Sequence, residues 1–273
     1  MTPTDHLYAT LLAAINETGE IIPGRNGLTR RKFNLPNVEF ETTPLVTVRK
    51  TAWAKAIREM EWFLSNNPVC PDELLDWWKP QLNPDNMYIS GYSDQLSYSV
   101  CDFDQIKALI EGICNHPYSR RHVITTWNPK EMAEITQVND NPNTPTTCHT
   151  TIAQFYVSQD YSLSFYSYQR SADMLLGVPH NWIQSWAFLL WLCEQTGKIP
   201  GKMIWGFGDA HIYQEESHLK VLNQILALRN EPVKDNPFRL VYNGNRGDEF
   251  KACDFEIIGT IPAPVVSGRP KLL

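Results

Sequence analysis

Two runs of alternating apolar and polar residues, Thr151 to Val157 (TIAQFYV) and Ser162 to Tyr168 (SLSFYSY), flank a turn signal at Gln159-Asp160. No other feature constrains the fold more. Period-2 alternation puts successive side chains on opposite faces, so the two runs predict paired strands with one face buried. The flanks of this pair carry chemistry: Cys148-His149 precedes the first run and Gln169-Arg170-Ser171 closes the second. Antiparallel pairing would return Arg170 towards Cys148, and a thiol beside a cation is a candidate nucleophile because positive charge favours the thiolate. The plainer alternative is a small buried cysteine at a strand start.

Around this centre, helical and strand patterns interleave without a repeated period. Apolar spacing predicts helices over His6 to Asn16, Ala52 to Leu64, Pro71 to Lys79, Asp104 to Ile113, Asn181 to Thr196 and Glu215 to Leu228. Strands are predicted at Pro44 to Arg49, His122 to Trp127, Met203 to Phe207, Phe238 to Tyr242 and Phe255 to Gly259, with loops at Gly19 to Gly27 and Lys130 to Thr147. This is an α/β pattern of the α+β type, with a large mixed sheet packed with helices, in a single domain spanning 1–273. At 273 residues and 42% hydrophobic, the chain can bury a substantial core. A formal net charge of -6 argues against nucleic-acid and membrane-surface partners, which demand a basic face. The six cysteines form no CxxC pair and no metal-ligand rhythm, so neither a metal site nor a disulfide framework is expected, and a reducing cytoplasm fits best. The apolar stretch Trp182 to Cys193, interrupted by Gln184 and Ser185, is too short for a membrane span and reads as a buried helix.

Several separated blocks, CHTTIAQFYV, YQRSADMLLGVPHN, GDAHIY, SRRHVITTWNP, EMEWFL and PLVTVRK, occur in the order of the signature segments of the thymidylate synthase family. The chain resembles that family over nearly its whole length. The resemblance implies a thymidylate synthase-like fold whose sheet stacks on that of a partner in a homodimer with shared sites. It implies one-carbon transfer from 5,10-methylenetetrahydrofolate to C5 of a deoxypyrimidine monophosphate. On the motif positions, Cys148 is the nucleophile, Glu59 the general acid/base, and Tyr92 a neighbour of the thiol. Arg25, Arg170 and Ser171 bind the phosphate together with Arg120 and Arg121 of a second subunit, and His211 and Tyr213 bind the sugar. Asn181 reads the base edge: a side-chain amide accepts from N3–H and donates to O4 of uracil, so a dUMP-like nucleotide is favoured. An Asn capping the helix predicted to start there is the structural alternative. Asp173 and Trp78 face the folate, beside Gly177.

The chain departs from the family on the folate side. Leu75 stands where a tryptophan is usual, Thr147 replaces the proline before the nucleophile, His180 replaces an aromatic residue, and the tail reads Gly-Arg-Pro-Lys-Leu-Leu. After the folate departs, the methylene left on C5 takes either hydride, giving dTMP, or water, giving a 5-hydroxymethyl nucleotide. Loss of the shielding tryptophan and a polar His180 lead to the expectation of a dUMP hydroxymethylase of bacteriophage type. A thymidylate synthase is the alternative, a dCMP hydroxymethylase or methylase the next. An inactive nucleotide- or RNA-binding homologue is the reading from a different class, disfavoured because Cys148, Glu59 and the arginines are all present.

Overall fold

The computed structural model describes residues 1–24, 26–88, 91–97, 103–129 and 147–272. Helix α1, Pro3–Thr18, begins three residues earlier than its apolar spacing predicts, because Thr2 and Asp5 form a capping box around Pro3. The Asp5 carboxylate is buried and also takes the backbone N–H of Thr47 at 2.6 Å, the Thr47 hydroxyl at 2.6 Å and the N–H of Val48 at 3.1 Å. The expected strand at Pro44 to Arg49 is therefore an irregular buried segment. Asp5 takes two of its N–H groups, and the Val48 carbonyl accepts from the backbone of Val265 and Val266, so its buried polar groups find partners without a ladder.

The expected loop after α1 is instead a hairpin, β1 (Glu20–Gly24) and β2 (Gly27–Phe33), which opens a seven-stranded sheet. The other strands are β3 (Val38–Phe40), β4 (Val123–Ile124), β5 (Ile152–Val157), β6 (Ser162–Asp173) and β7 (Ile199–Tyr213), in the order β1-β2-β7-β6-β5-β4 with β3 also on β7. The pair β6–β7 is parallel and the remaining pairs are antiparallel, so the sheet is mixed as expected. The β5–β6 pairing has Ile152 opposite Tyr168 and Val157 opposite Leu163, the hairpin the alternation required. Two strands differ in length from their sequence patterns. Of His122 to Trp127 only Val123–Ile124 pairs, and β7 runs unbroken through Gly208 to Tyr213.

The helices are α2 (Trp53–Leu64), α3 (Leu75–Trp78, between 3-10 turns), α4 (Tyr92–Ser97), α5 (Gln105–Asn115), α6 (Val178–Thr196) and α7 (Glu216–Ala227). A small second sheet pairs β8 (Phe238–Tyr242) with β9 (Phe255–Gly259). Helix α6 connects β6 to β7 and is buried along almost its whole length, with α2 packed against it. Trp62, Trp182 and Trp205 are among the largest side chains closed off from solvent in the core it organises. Pro179 in its first turn supplies a fixed φ, and Gly197 ends it in the left-handed region (φ 65°).

This arrangement creates the site. Phe165, Ser167, Gln169, Trp205 and Phe207 lie on the sheet face under α6 and are buried. The same face continues to Ser171 and Asp173 on β6 and, in register, Asp209 and His211 on β7, past the N-terminal end of α6. There the helix no longer covers the sheet, and these four side chains are half-buried.

Candidate active site

Cys148 lies just before β5, and its carbonyl accepts the backbone N–H of Arg170 at 3.0 Å. The Arg170 side chain turns onto the same loop: Nε donates to the Thr147 carbonyl at 2.9 Å and Nη2 lies 3.9 Å from Cys148 Sγ. The guanidinium also sits over the Trp127 ring, 5.2 Å from its centroid. The Tyr92 phenol oxygen accepts the N–H groups of Cys148 at 2.7 Å and His149 at 3.3 Å. The cysteine backbone is thus held by Arg170 through its carbonyl and by Tyr92 through its N–H. Burial pushes the Tyr92 hydroxyl well above its usual range, which keeps its proton on. The chain reverses after His149 through Thr150 in the left-handed region (φ 51°), a strained conformation for a β-branched residue. His149 stacks on Tyr92 (4.6 Å, 22°), and burial pushes its pKa down to about 3. It is a neutral packing group.

Glu59 projects from α2 and is buried. One carboxylate oxygen accepts from Trp78 Nε1 at 2.5 Å and the other from Gln184 Nε2 at 3.1 Å. Burial raises its pKa to about 7 against these two bonds, which lower it. A carboxyl so poised exchanges protons near neutrality.

Trp78 is joined to Glu59 and to the aromatic core. Its indole N–H is spent on Glu59, and the ring is buried edge-on to Trp62 (5.3 Å) and Phe63 (5.7 Å). The indole that meets His180 is that of Trp77, half-buried, with ring centroids 4.8 Å apart and Lys55 4.8 Å above the Trp77 ring. Leu75, on the same short helix, is a partly buried residue packed against the core.

Both ring nitrogens of His180 have backbone partners. Nδ1 donates to the Leu176 carbonyl at 2.7 Å, and Nε2 accepts the Ala52 N–H at 3.3 Å. Burial holds its pKa near 4, so the ring is neutral, and its single N–H is already used. The residue is not a free polar group waiting for water. Thr147 is similarly committed, its hydroxyl donating to the Thr126 carbonyl at 2.7 Å.

Asn181 does not cap α6, because the helix starts at Val178 with Gly177 as its N-cap residue. It occupies the first turn, is 8% exposed, and among the described residues nothing hydrogen-bonds its side-chain amide. A Cβ on Gly177 would lie 3.5 Å from Asn181 Nδ2, an ordinary contact. Asp173 Oδ1 caps the turn into α6 by accepting from Leu175 at 3.0 Å and Leu176 at 2.9 Å. His211 and Tyr213 meet edge to face at 5.4 Å, and His211 Nδ1 is 3.5 Å from Asp209 Oδ1. Arg25 lies outside the described residues. Arg120 and Arg121 are exposed beside the outer sheet face, where the Arg120 carbonyl accepts from Gln154, and no described contact joins either to the Cys148 cluster.

Sequence reasoning missed Gln184, Trp77, Asp209 and Arg31. A signal existed for Gln184, since a buried amide interrupting an apolar helix, three residues after Asn181, asks for a partner on the same face. Asp209 stood in plain view inside GDAHIY.

A family model described as thymidylate synthase matches residues 6–270. The chain belongs to the thymidylate synthase family. Among its relatives, the thymidylate synthase of Cereibacter sphaeroides is 26% identical over 309 residues, covering 98% of this chain and 99% of the relative. That of Corynebacterium aurimucosum is 29% identical over 276 residues, covering 96% of each, and that of Mycoplasma genitalium 28% over 270, covering 87% of each. Thymidylate synthase family chemistry is folate-dependent one-carbon transfer to a pyrimidine nucleotide, with methylenetetrahydrofolate as co-substrate. Among the described residues no cluster of His, Cys, Asp and Glu could hold a metal ion, and no helix is long and apolar enough to cross a membrane.

Proposed function

We propose that the chain transfers the one-carbon unit of methylenetetrahydrofolate to C5 of a deoxyuridylate, with Cys148 as nucleophile. The observation that carries this reading is Arg170, whose guanidinium is anchored on the Thr147 carbonyl with Nη2 3.9 Å from the Cys148 thiol. C5 of uracil attacks nothing until a nucleophile adds at C6 and pushes the π electrons towards O4. A thiolate beside a fixed cation performs that addition reversibly. The C5 proton must then leave, and Glu59, with a pKa raised to about 7, is the group to exchange it through ordered solvent. When the product forms, the Cys148 thiolate is expelled from C6.

Asn181 suits the base edge because its amide has no protein partner among the described residues and can accept from N3–H while donating to O4. Arg25, Arg170 and Ser171 take the phosphate, and His211 with Tyr213 the sugar hydroxyl. The folate lies along Asp173, Gly177 and the Trp77–His180 pair, near Leu75. Arg120 and Arg121 belong to the site of a second copy. The outer sheet face supports this: Val123, Ile152 and Tyr156 are 45%, 50% and 65% exposed beside these arginines, an apolar surface suited to self-association.

For the fate of the C5 methylene, the geometry favours hydride and dTMP. A held water needs several polar partners, and the donors of His180 and Thr147 are both spent on backbone carbonyls. The hydroxymethyl product is the second reading, favoured by Leu75 where an indole would shield the methylene. Incubation with dUMP and methylenetetrahydrofolate should release dihydrofolate, followed by its absorbance, in step with dTMP. Tetrahydrofolate with a 5-hydroxymethyl nucleotide would overturn the methyl reading and restore the gap at Leu75 as the deciding feature, in which case Leu75→Trp should divert product to dTMP.

A further inference from the structure

Arg31 stands directly across from His211 in the antiparallel β2–β7 pairing. All three of its guanidinium nitrogens are placed. Nε donates to Thr29 Oγ1 at 2.6 Å, Nη1 to Asp209 Oδ2 at 3.3 Å, and Nη2 to the Pro23 carbonyl at 3.3 Å. The Thr29 hydroxyl in turn donates to the Ile22 carbonyl at 3.2 Å. The β1–β2 turn packs on this group so closely that a Cβ on Gly24 would fall 2.6 Å from Arg31 Nη2. The second Asp209 oxygen, buried and without a hydrogen bond of its own, points to His211 Nδ1 at 3.5 Å. Side-chain exposure is 28% at Arg31, 37% at Asp209 and 12% at His211, so only the imidazole end of the group is well shielded from solvent. The approach of His211 and the charge of Arg31 both hold the Asp209 carboxyl below its usual range, with His211 the larger cause.

We propose that Arg31 is a positioning residue for nucleotide binding: by gripping Asp209 it fixes His211 with Nδ1 protonated and Nε2 presented as an acceptor to the sugar 3′-hydroxyl. The same guanidinium ties the turn of the β1–β2 hairpin to the sugar end of the site. A carboxylate that orients an imidazole sets which ring nitrogen faces the ligand. The cation opposite keeps that carboxylate from rotating onto other donors. A lysine could replace the charge at Asp209 but not the simultaneous bonds to Thr29 and Pro23. The inference rests on the reading of His211 as the sugar ligand, and its test separates the two.

Dissociation constants for dUMP and for its 3′-deoxy analogue, measured by calorimetry, form a cycle with the protein variants. The unmodified protein should bind dUMP about 10-fold tighter than the analogue, the worth of one well-made hydrogen bond. In Arg31→Met that ratio should fall below about 2-fold, in Arg31→Lys it should recover in part, and Asp209→Asn should match Arg31→Met, with the double variant no worse than either single one. Equal weakening of both nucleotides by Arg31→Met, with the ratio kept, would assign Arg31 a merely structural role and overturn the proposal. No discrimination by the unmodified protein would remove His211 from the sugar site, and the proposal with it. Thermal melts of the variants distinguish a lost contact from a lost fold.

Discussion

Glu59 carries a conflict between packing and charge that can be read as a pH dependence of stability. Its folded pKa of about 7 exceeds the ordinary carboxylate value of 4.5, so the folded chain binds this proton more tightly than the unfolded chain. The resulting stabilisation is fully present below about pH 4.5 and is lost as pH rises through about 7. Glu59→Gln has no such proton to bind, and Gln184, whose Oε1 has no partner, can turn its amide to match the new side chain. Urea titrations at pH 5 and pH 8 should show the variant gaining about 2–3 kcal/mol on the wild type across that interval, while its turnover is lost. Parallel pH profiles would mean that Glu59 is ionised throughout. At Asn181, the prediction concerns base choice. Asn181→Asp should shift preference from dUMP towards dCMP, because a protonated carboxyl donates to cytosine N3 while its other oxygen accepts from the amino group. An unmodified protein that already prefers dCMP would contradict this assignment.

Elements whose pattern is local were legible, and those decided by a distant partner were not. The β8 and β9 bounds coincide with the strands expected at Phe238 to Tyr242 and Phe255 to Gly259. The approach of Arg170 to Cys148 follows from the β5–β6 register, in which a few residues on either side of a turn fix who meets whom. The segment Pro44 to Arg49 reads as a strand because nothing local reveals that Asp5, about forty residues away, will take its N–H groups. Trp77 and Trp78 were indistinguishable in sequence, since a short helix between 3-10 turns decides which indole faces Glu59 and which meets His180. The commitment of both His180 nitrogens to backbone groups was equally hidden, which is why a polar side chain there looked like a water site. The Asp5 contact makes a prediction at this scale. Asp5→Ala should destabilise the protein by about 2–4 kcal/mol, because it strands several buried donors at once, and Tm should fall accordingly. A loss under about 1 kcal/mol would show that water satisfies Thr47 and Val48.

For the molecule as a whole, the adjacent arginines stand apart from the nucleophile loop. Arg120 and Arg121 lie at the edge of an exposed apolar sheet face and have no described contact with the nucleophile loop. A dimer through that face would deliver them to a neighbour. Mixing Arg121→Ala and Cys148→Ser subunits should therefore restore activity well above either parent, since one site of each heterodimer then holds an intact thiol and an intact arginine. Exchange of subunits without recovery would keep the arginines in their own chain's site or outside any site. Transfer of one carbon to a uracil ring by Cys148 should be visible in the mass of the nucleotide recovered after incubation of dUMP and methylenetetrahydrofolate with the unmodified protein and with Cys148→Ser. The expected result is a nucleotide enlarged by one carbon in the first case and unchanged dUMP, still bound, in the second; unchanged dUMP in both, or the same gain in both, would contradict the nucleophile role of Cys148.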